Sequence, residues 1–313
     1  MVSRLDRVET MLIEEDFSIL FFARSFESTS DWLIRKGLIL VNPTCPKCEI
    51  KEMQHIQDLS RADKLKLRCK DKKCGATKTF RWRTLFENQK LTLVEAVQIV
   101  FHYFIRNTPI NEVISKLPAE KVAVSKMYSK VRSLVSDYVE GLKVGRKLGM
   151  DPVNDVFKRG VVEIDESLIT HHNGEQMWIL GIFDRATKEL FCFALPDRTS
   201  NTLIPIIKNF VDPSCRVYTD GWASYSSLKQ EGYDHRVVLH VDGFGSGYHT
   251  TNGIESCWSE IKRLTNSSKG IQLSSSNPLT CLQEHINVGV WRRANKDADL
   301  VEELIHIIKL FYL

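Results

Sequence analysis

Apolar positions recur mostly at helical spacing up to about residue 140, and after residue 159 they regroup into short alternating runs. Residues 1–40 carry Met11, Leu12, Ile13, Ile19 and Leu20 at roughly helical spacing, and Ser28-Thr29-Ser30-Asp31 reads as a helix start, so short helices are expected there. Leu65-Lys66-Leu67-Arg68 alternates like a strand, and Thr77 to Trp82 alternates again. Leu93, Val94, Val97, Val100, Phe101 and Phe104 follow a helical period that Asn107-Thr108-Pro109 breaks. Ile110 to Leu117 predicts a short helix ended by Pro118, and Val124, Tyr128, Val131 and Val135 form the apolar stripe of a third. Gly141 to Lys158 has little periodicity and holds Gly145, Gly149 and Pro152, which predicts a linker.

The remainder reads as strands interleaved with helices. Gly160–Ile169, Trp178–Asp184 and Glu189–Leu195 are expected to form a meander, with turns at Asn173-Gly174 and Ala186-Thr187-Lys188. Thr202–Val211 is a helix, Arg216–Asp220 a fourth strand, Tyr225–Gln230 a short helix and His235–His240 a fifth strand. A flexible stretch, Gly243 to Gly247, precedes a helix over Gly253–Leu264. Three antiparallel strands followed by helix, strand, helix, strand and helix is the element order of an RNase H-like α/β fold.

Composition narrows the class. Hydrophobic residues make up 43% and charged residues 26%, which excludes bulk disorder. No apolar run approaches a membrane span; the longest candidate, Ile19 to Ala23, is far too short. The N-terminus carries acids and lacks a basic start ahead of an apolar stretch, so secretion is not expected. Net charge is only +4, but residues 61–90 hold eleven Lys or Arg against three acids. Such a segment is either a solvated lysine-rich hairpin or the footprint of an acidic polymer, most often nucleic acid.

The eight cysteines fall into two groups. Cys192, Cys215, Cys257 and Cys281 lie scattered in apolar settings and read as buried thiols. Cys45 and Cys48 form Cys-x2-Cys, twenty residues follow, and Cys69 and Cys74 form Cys-x4-Cys. Two such knuckles joined by short strands make a zinc ribbon, because Zn2+ takes four soft ligands in a tetrahedron. The helix behind it places Lys121, Lys126, Lys130 and Arg132 opposite its apolar stripe, as a helix-turn-helix would, or as the solvated side of an ordinary connector. Lys72, Lys73, Arg81 and Arg83 are the ribbon's candidate phosphate contacts.

Asp165 lies within the first strand of the second domain, and Asp220 lies where the fourth strand meets a turn. An acid in a strand of a buried sheet must be paired, hydrogen-bonded or metal-bound. The final helix sets Glu255 and Lys262 two turns apart on one face, beside a stripe of Ile254, Cys257, Trp258, Ile261 and Leu264. With that stripe on the sheet, Glu255 leans over the strand ends towards Asp165 and Asp220. Three converging carboxylates suit two Mg2+ or Mn2+ ions, which activate a water or 3′-hydroxyl and stabilise the leaving oxygen at phosphorus; Lys262 would hold a phosphate. Asp184 reads as an ion-pair partner of Arg185, Glu163 as a support for Asp165, and Trp222 and Trp258 as core rather than base-stacking platforms.

These residues resemble a known family. Glu163-Ile164-Asp165-Glu166-Ser167, Trp178 with Gly181 and Arg185, Tyr218-Thr219-Asp220-Gly221-Trp222, and His249 through Trp258 with Lys262 are similar to Merlin-type DDE transposases and related bacterial insertion-sequence enzymes. The resemblance spans about residues 40–295. It implies an RNase H-like core, metal-dependent DNA cleavage and 3′-OH strand transfer, binding to terminal inverted repeats of double-stranded DNA and a homodimer. Asp165 and Asp220 match the first two acids and Glu255 the third, with Asn252 in reserve and His249 either orienting a phosphate or capping the helix. The expected organisation is a helical segment (1–40), zinc ribbon (41–90), helix-turn-helix-like region (91–140), linker (141–158), DDE domain (159–295) and C-terminal helix (296–313). Location would be the nucleus in a eukaryotic host and otherwise the cytoplasm. A DNA-binding derivative without catalysis and a plain RNase H-like nuclease are the alternatives.

Overall fold

The computed structural model describes residues 23–150, 160–238, 250–265, 271, 273 and 276–312. The helix expected around Met11 to Leu20, most of the second half of the linker, the end of the fifth strand at His240, the stretch Gly243 to Gly247, and His249 lie outside the described residues. The chain divides into two compact units, Met1–Leu134 with Asp299–Leu313, and Val135–Ala298.

In the first unit, α1 (Phe26–Arg35) starts three residues ahead of the expected signal. Ser25 is its cap: the Ser28 amide donates to Ser25 Oγ at 3.2 Å, and the Ser25 amide donates back to Ser28 Oγ at 3.3 Å. The cysteine segment forms an antiparallel sheet of β1 (Met53–Gln57), β2 (Leu65–Cys69) and β3 (Thr77–Thr79). β1 was not expected, since Met53-Gln54-His55-Ile56-Gln57 does not alternate cleanly. α2 (Leu93–Phe104) opens on a second capping box, Thr92 with Glu95, worth about 1 kcal/mol. α3 (Ile110–Lys116) and α4 (Lys121–Lys143) follow, and Val124, Val131 and Val135 of the expected stripe are fully buried. α4 runs past Gly141, where a linker had been expected. α8 (Leu300–Tyr312) closes this unit by burying Leu304, Ile305, Ile307 and Ile308.

The second unit is built on a five-stranded sheet. β4 (Val161–His172), β5 (Glu175–Asp184) and β6 (Leu190–Leu195) are antiparallel, and β7 (Arg216–Thr219) and β8 (Asp234–Val237) run parallel to β4, in the order β6-β5-β4-β7-β8. Asn173 and Gly174, at φ 51° and 84°, make the tight turn between β4 and β5. α5 (Ser200–Phe210) follows β6, a single 3-10 turn (Ala223–Tyr225) follows β7, and α6 (Asn252–Leu264) and α7 (Pro278–Ala294) follow β8.

Alternation along β4 sets which residues meet which helix. Val162 and Ile164 join Leu203, Ile204 and Ile207 of α5 on one side of the sheet. Ile169 of β4 and Ile179 and Phe183 of β5 join Ile254, Trp258 and Ile261 of α6 and Leu282 and Ile286 of α7 on the other. Each fully buried aliphatic contributes about 1.5–3 kcal/mol, so both sides of the sheet are firmly clad. Leu148, placed in the expected linker, is instead buried against the α5 side and bridges Val211. No helix among the described residues is long and apolar enough to cross a membrane.

Candidate active site

Asp165 and Asp220 are level with each other on neighbouring strands. β4 and β7 pair in parallel with Val161 opposite Arg216 and Glu163 opposite Tyr218; the same offset carried two residues further sets Asp165 beside Asp220. Level residues of parallel strands point to the same side, and odd-numbered β4 residues face α6. Asp165 is half-buried, and its carboxyl is pushed above the ordinary range by burial first, then by the charges of Asp220 and Glu255.

Two attachments fix Asp165 and Asp220. Trp258 Nε1–H donates to Asp165 Oδ2 at 2.8 Å, and the Trp222 amide donates to Asp220 Oδ1 at 2.9 Å. Sequence reasoning gave Trp258 only a packing part; its ring is buried, but its one donor serves the acid. The indole comes this close because Gly181, the cross-strand partner of Asp165, has no side chain. A Cβ there would lie 2.4 Å from Trp258 Cη2 and 2.7 Å from Ile254 Cδ1.

The start of α6, which carries Glu255, is fastened to β4 by a buried pair that the sequence left as a support. Glu163 Oε1 accepts from Arg185 Nε at 2.5 Å, and Glu163 Oε2 accepts from the Ile254 amide at 2.8 Å. A carboxylate at a helix N-terminus complements the dipole and satisfies an otherwise orphaned amide. Arg185 also donates from Nη2 to the Thr250 carbonyl and lies over the Tyr218 ring at 4.7 Å. Asp184 is thus not the partner of Arg185; it accepts from the amides of Gly149 and Ala186 instead. Gly253 permits the approach, since a Cβ would meet Phe183 Cε1 at 2.5 Å. Glu255 Oε1 accepts from Thr251 Oγ1 at 2.9 Å. Lys262 is half-buried further along α6, and Asn252 is exposed at its first turn.

The acids are neighbours without forming a closed cage. Among the described residues, the only set of three or more Cys, His, Asp and Glu whose ligand atoms all lie within 4.8 Å of one another is Cys45, Cys48, Cys69 and Cys74. Their Sγ atoms lie 3.7 Å apart for Cys45 and Cys74, and 3.7 Å for Cys48 and Cys69. A disulfide needs about 2 Å, whereas four thiolates about 2.3 Å from one Zn2+ stand about 3.8 Å apart at the corners of a tetrahedron. Backbone amides of Ile50 and Lys51 lower the Cys48 thiol to about 6, while burial pushes its neighbour Cys69 up to about 12. The other four cysteines are buried and free, and burial pushes Cys192 up to about 12.

The basic candidates divide by orientation. Lys72, Lys73, Arg83, Lys121 and Lys126 are exposed. Arg83 and Lys78 both lie over the Trp82 ring, at 5.2 and 5.4 Å. Arg132 is half-buried, with Nη2 3.4 Å from Ser129 Oγ. Two expected phosphate contacts are corrected. Arg81 is 5% exposed and grips the Asp63 carboxylate and the Leu91 carbonyl, tying the ribbon to the segment ahead of α2. Lys130 donates to the Leu85 carbonyl at 2.6 Å, and burial lowers its ammonium. Charge counted along a sequence does not reveal which cations have a carbonyl or carboxylate waiting inside.

Residues 157–271 match the family model of the ISXO2-like transposase domain. The match takes in Asp165, Asp220, Glu255 and Lys262. A transposase-like protein of Haemophilus influenzae, itself uncharacterized, is 28% identical over 121 residues, 39% of this chain and 91% of that protein. Solved structures give shallower likenesses. The HTLV-2 integrase catalytic core in complex with magnesium is 13% identical, with TM-score 0.29 over 42% of this chain and 82% of that one. A simian T-cell lymphotropic virus intasome with the PP2A regulatory subunit B56 gamma is 11% identical, with TM-score 0.32 over 62% and 67%.

Proposed function

We propose that the chain is a DNA transposase that binds the terminal inverted repeats of a mobile element, cleaves a DNA strand at each end and joins the freed 3′-OH to target DNA. Within that class we read it as Merlin-type, on the motifs around Asp165, Asp220 and Glu255. The observation that carries the reading is that Asp165 and Asp220 stand level on adjoining strands while α6, which carries Glu255, is bonded to β4 through Trp258 and Glu163, inside the segment that matches a transposase domain. The order of strands and helices in the second unit, three antiparallel strands ahead of two parallel ones with α5 between, supports reading it as an RNase H-like core.

An all-oxygen donor set under repulsion fits a hard dication. Mg2+ or Mn2+, when bound there, supplies positive charge at the attacking and leaving oxygens of phosphorus. Asp165, oriented by Trp258, and Asp220, oriented by its own turn, would be two of its ligands. Glu255, which accepts from Thr251, would be the third, with Asn252 as the reserve. Lys262 steadies a phosphate as a compact charge. Cys45, Cys48, Cys69 and Cys74 hold a structural Zn2+. Lys72, Lys73, Arg83, Lys121, Lys126 and Arg132 neutralise DNA phosphates, and two chains hold the two ends as a dimer.

The test is a nicking assay on duplex DNA carrying the element's ends, with Mg2+ or Mn2+. Asp165→Ala and Asp220→Ala should each reduce cleavage at least about 10³-fold, the scale lost when such charge stabilisation is removed. Cleavage that persists in both variants, or that needs no divalent ion, overturns the reading. Nicks without joined products would instead mark a nuclease, and DNA binding with no cleavage under any metal would mark a non-catalytic derivative.

A further inference from the structure

The α5 side of the sheet carries a second group of side chains that this function leaves without a part. Glu166 follows Asp165 and points to that side; its side chain is fully buried, with the Tyr225 hydroxyl beside its carboxyl. Its compensation is the guanidinium of Arg198, with Nη2 3.7 Å from Oε2. Arg198 is itself flanked by two indoles, its Cζ 4.1 Å from the Trp178 ring centre and 4.5 Å from that of Trp222. Trp178 packs against the core, but Trp222 is 44% exposed, contrary to the core position expected of it.

Trp222 is also pinned. Its amide donates to Asp220 Oδ1 at 2.9 Å, and its indole Nε1–H donates to the Arg198 carbonyl at 3.3 Å. Ser224 Oγ donates to the same carbonyl at 2.7 Å. A large aromatic plane is thereby held rigid and wet, two residues from a candidate metal ligand. A buried carboxylate is unfavourable, and so is an open indole. The fold bears both at one place, and together they set a cation beneath a ring. The ring therefore suits a flat partner carrying a π-system, and nucleobases stack on such rings whatever their sequence.

We propose that Trp222 is a stacking platform for one nucleobase of an unpaired DNA strand beside Asp220, backed by Arg198, which Glu166 holds in position. A base inside a duplex has both faces covered by its neighbours, so the occupant is a base at a strand end or one turned out of the stack. The proposal rests on the transposase reading for its location but is tested by binding alone.

The probe is a fluorescent oligothymidylate of about 12 nucleotides, a length within the usual single-strand site size. Its affinity for the full chain is read by anisotropy, with Ca2+ in place of Mg2+, alongside a blunt duplex. Trp222→Ala should bind the single strand about 10-fold more weakly. Trp222→Phe should stay within about threefold of wild type, and both should bind the duplex like wild type. Circular dichroism checks the fold of each variant. Should Trp222→Ala misfold, photo-crosslinking of wild type to a 5-iodouracil oligonucleotide decides, with an adduct on Trp222 expected. Equal single-strand affinity of Trp222→Ala and wild type overturns the proposal, as does a wild type that binds no single strand, or crosslinks that all fall elsewhere. Lost self-association in Trp222→Ala, with oligonucleotide affinity intact, also overturns it and assigns the ring to a second copy of the chain. Cleavage by wild type and Asp165→Ala judges the transposase reading separately, so either can fail alone.

Discussion

Asp165 holds its place against two like charges, supported by the Trp258 indole and the Glu166 amide. Removing its charge relieves that repulsion. Asp165→Asn should therefore raise the metal-free melting temperature by about 2–4 °C, the equivalent of about 1 kcal/mol, while abolishing cleavage. Added Mg2+ should raise the melting temperature of wild type and leave Asp165→Asn unmoved; an equal shift in both would place the ion elsewhere. Trp258→Phe keeps most of the packing and removes only the donor, so cleavage should fall about 10- to 100-fold, as when the partner of a ligand is lost. His235 gives a separate handle through pH. It is buried, and Thr219 Oγ1, 2.8 Å from its Nε2, donates its own hydrogen to the Asp220 carbonyl, so Nε2 must carry the imidazole proton. Burial, with Lys229 nearby, lowers the imidazole below 6.5, so the fold favours the neutral ring. The unfolded ring takes up a proton near 6.5, so this stability is present above that pH and is lost as pH falls towards the folded value. Melting temperature measured from pH 8 to 5 should drop more steeply for wild type than for His235→Gln.

At the scale of elements, α6 is docked by two close approaches and one clamp. Gly181 and Gly253 let it settle, and Glu163 with Arg185 holds its first turn. Gly181→Ala drives a methyl into Trp258 and Ile254, and shifting a packed helix to admit it should cost about 1–3 kcal/mol. Cleavage should fall further than stability alone explains, because both Trp258 and Glu255 ride on that helix; a denaturant titration beside the nicking assay separates the two losses. Much of this element was legible beforehand. The stripe of Ile254, Cys257, Trp258 and Ile261 gave the helix, and short alternating runs gave β4 to β8, because periodicity is a local property. Its attachments were not legible. Trp258 and Asp165 are 93 residues apart, and Glu163 and Ile254 are 91 apart. Nothing in the spacing marks an indole as a donor or an acid as a helix cap. The reach of α4 past Gly141 was hidden for a similar reason. Lys143 is buried, donating to Glu140 and Asn287, and Asn287 donates on to Ser136 and Glu140. A lysine and a glycine at a helix end look like solvent until the distant asparagine is placed beside them.

For the whole molecule, two metal chemistries sit in two units of the chain. The four clustered thiols of Met1–Leu134 suit Zn2+, and on the proposed function the acids of Val135–Ala298 would take Mg2+ or Mn2+. Apart from the Arg81 tie, the ribbon has a small core: its buried cluster comprises Cys45, Met53, Leu67 and Cys69, with Ala76, Trp82 and the remaining two thiols alongside. A sheet that small depends on its ion for stability. Metal analysis should find about one Zn2+ per chain, absent when Cys45 and Cys48 are both Ser. Removing that zinc should melt the ribbon and lose β-sheet ellipticity, yet leave the Mg2+-dependent rise in melting temperature of the second unit, because Trp258, Trp222 and Thr251, which bond Asp165, Asp220 and Glu255, all belong to that unit. Duplex affinity should fall at the same time, and its dependence on salt should become shallower, since Lys72, Lys73 and Arg83 lose their fixed spacing while the contacts of Lys121 and Lys126 persist. A zinc-free chain with an intact ribbon and an unchanged salt slope would contradict both the cysteine site and the placing of DNA against it. Loss of the Mg2+ response together with zinc would show that the oxygen site depends on the first unit after all.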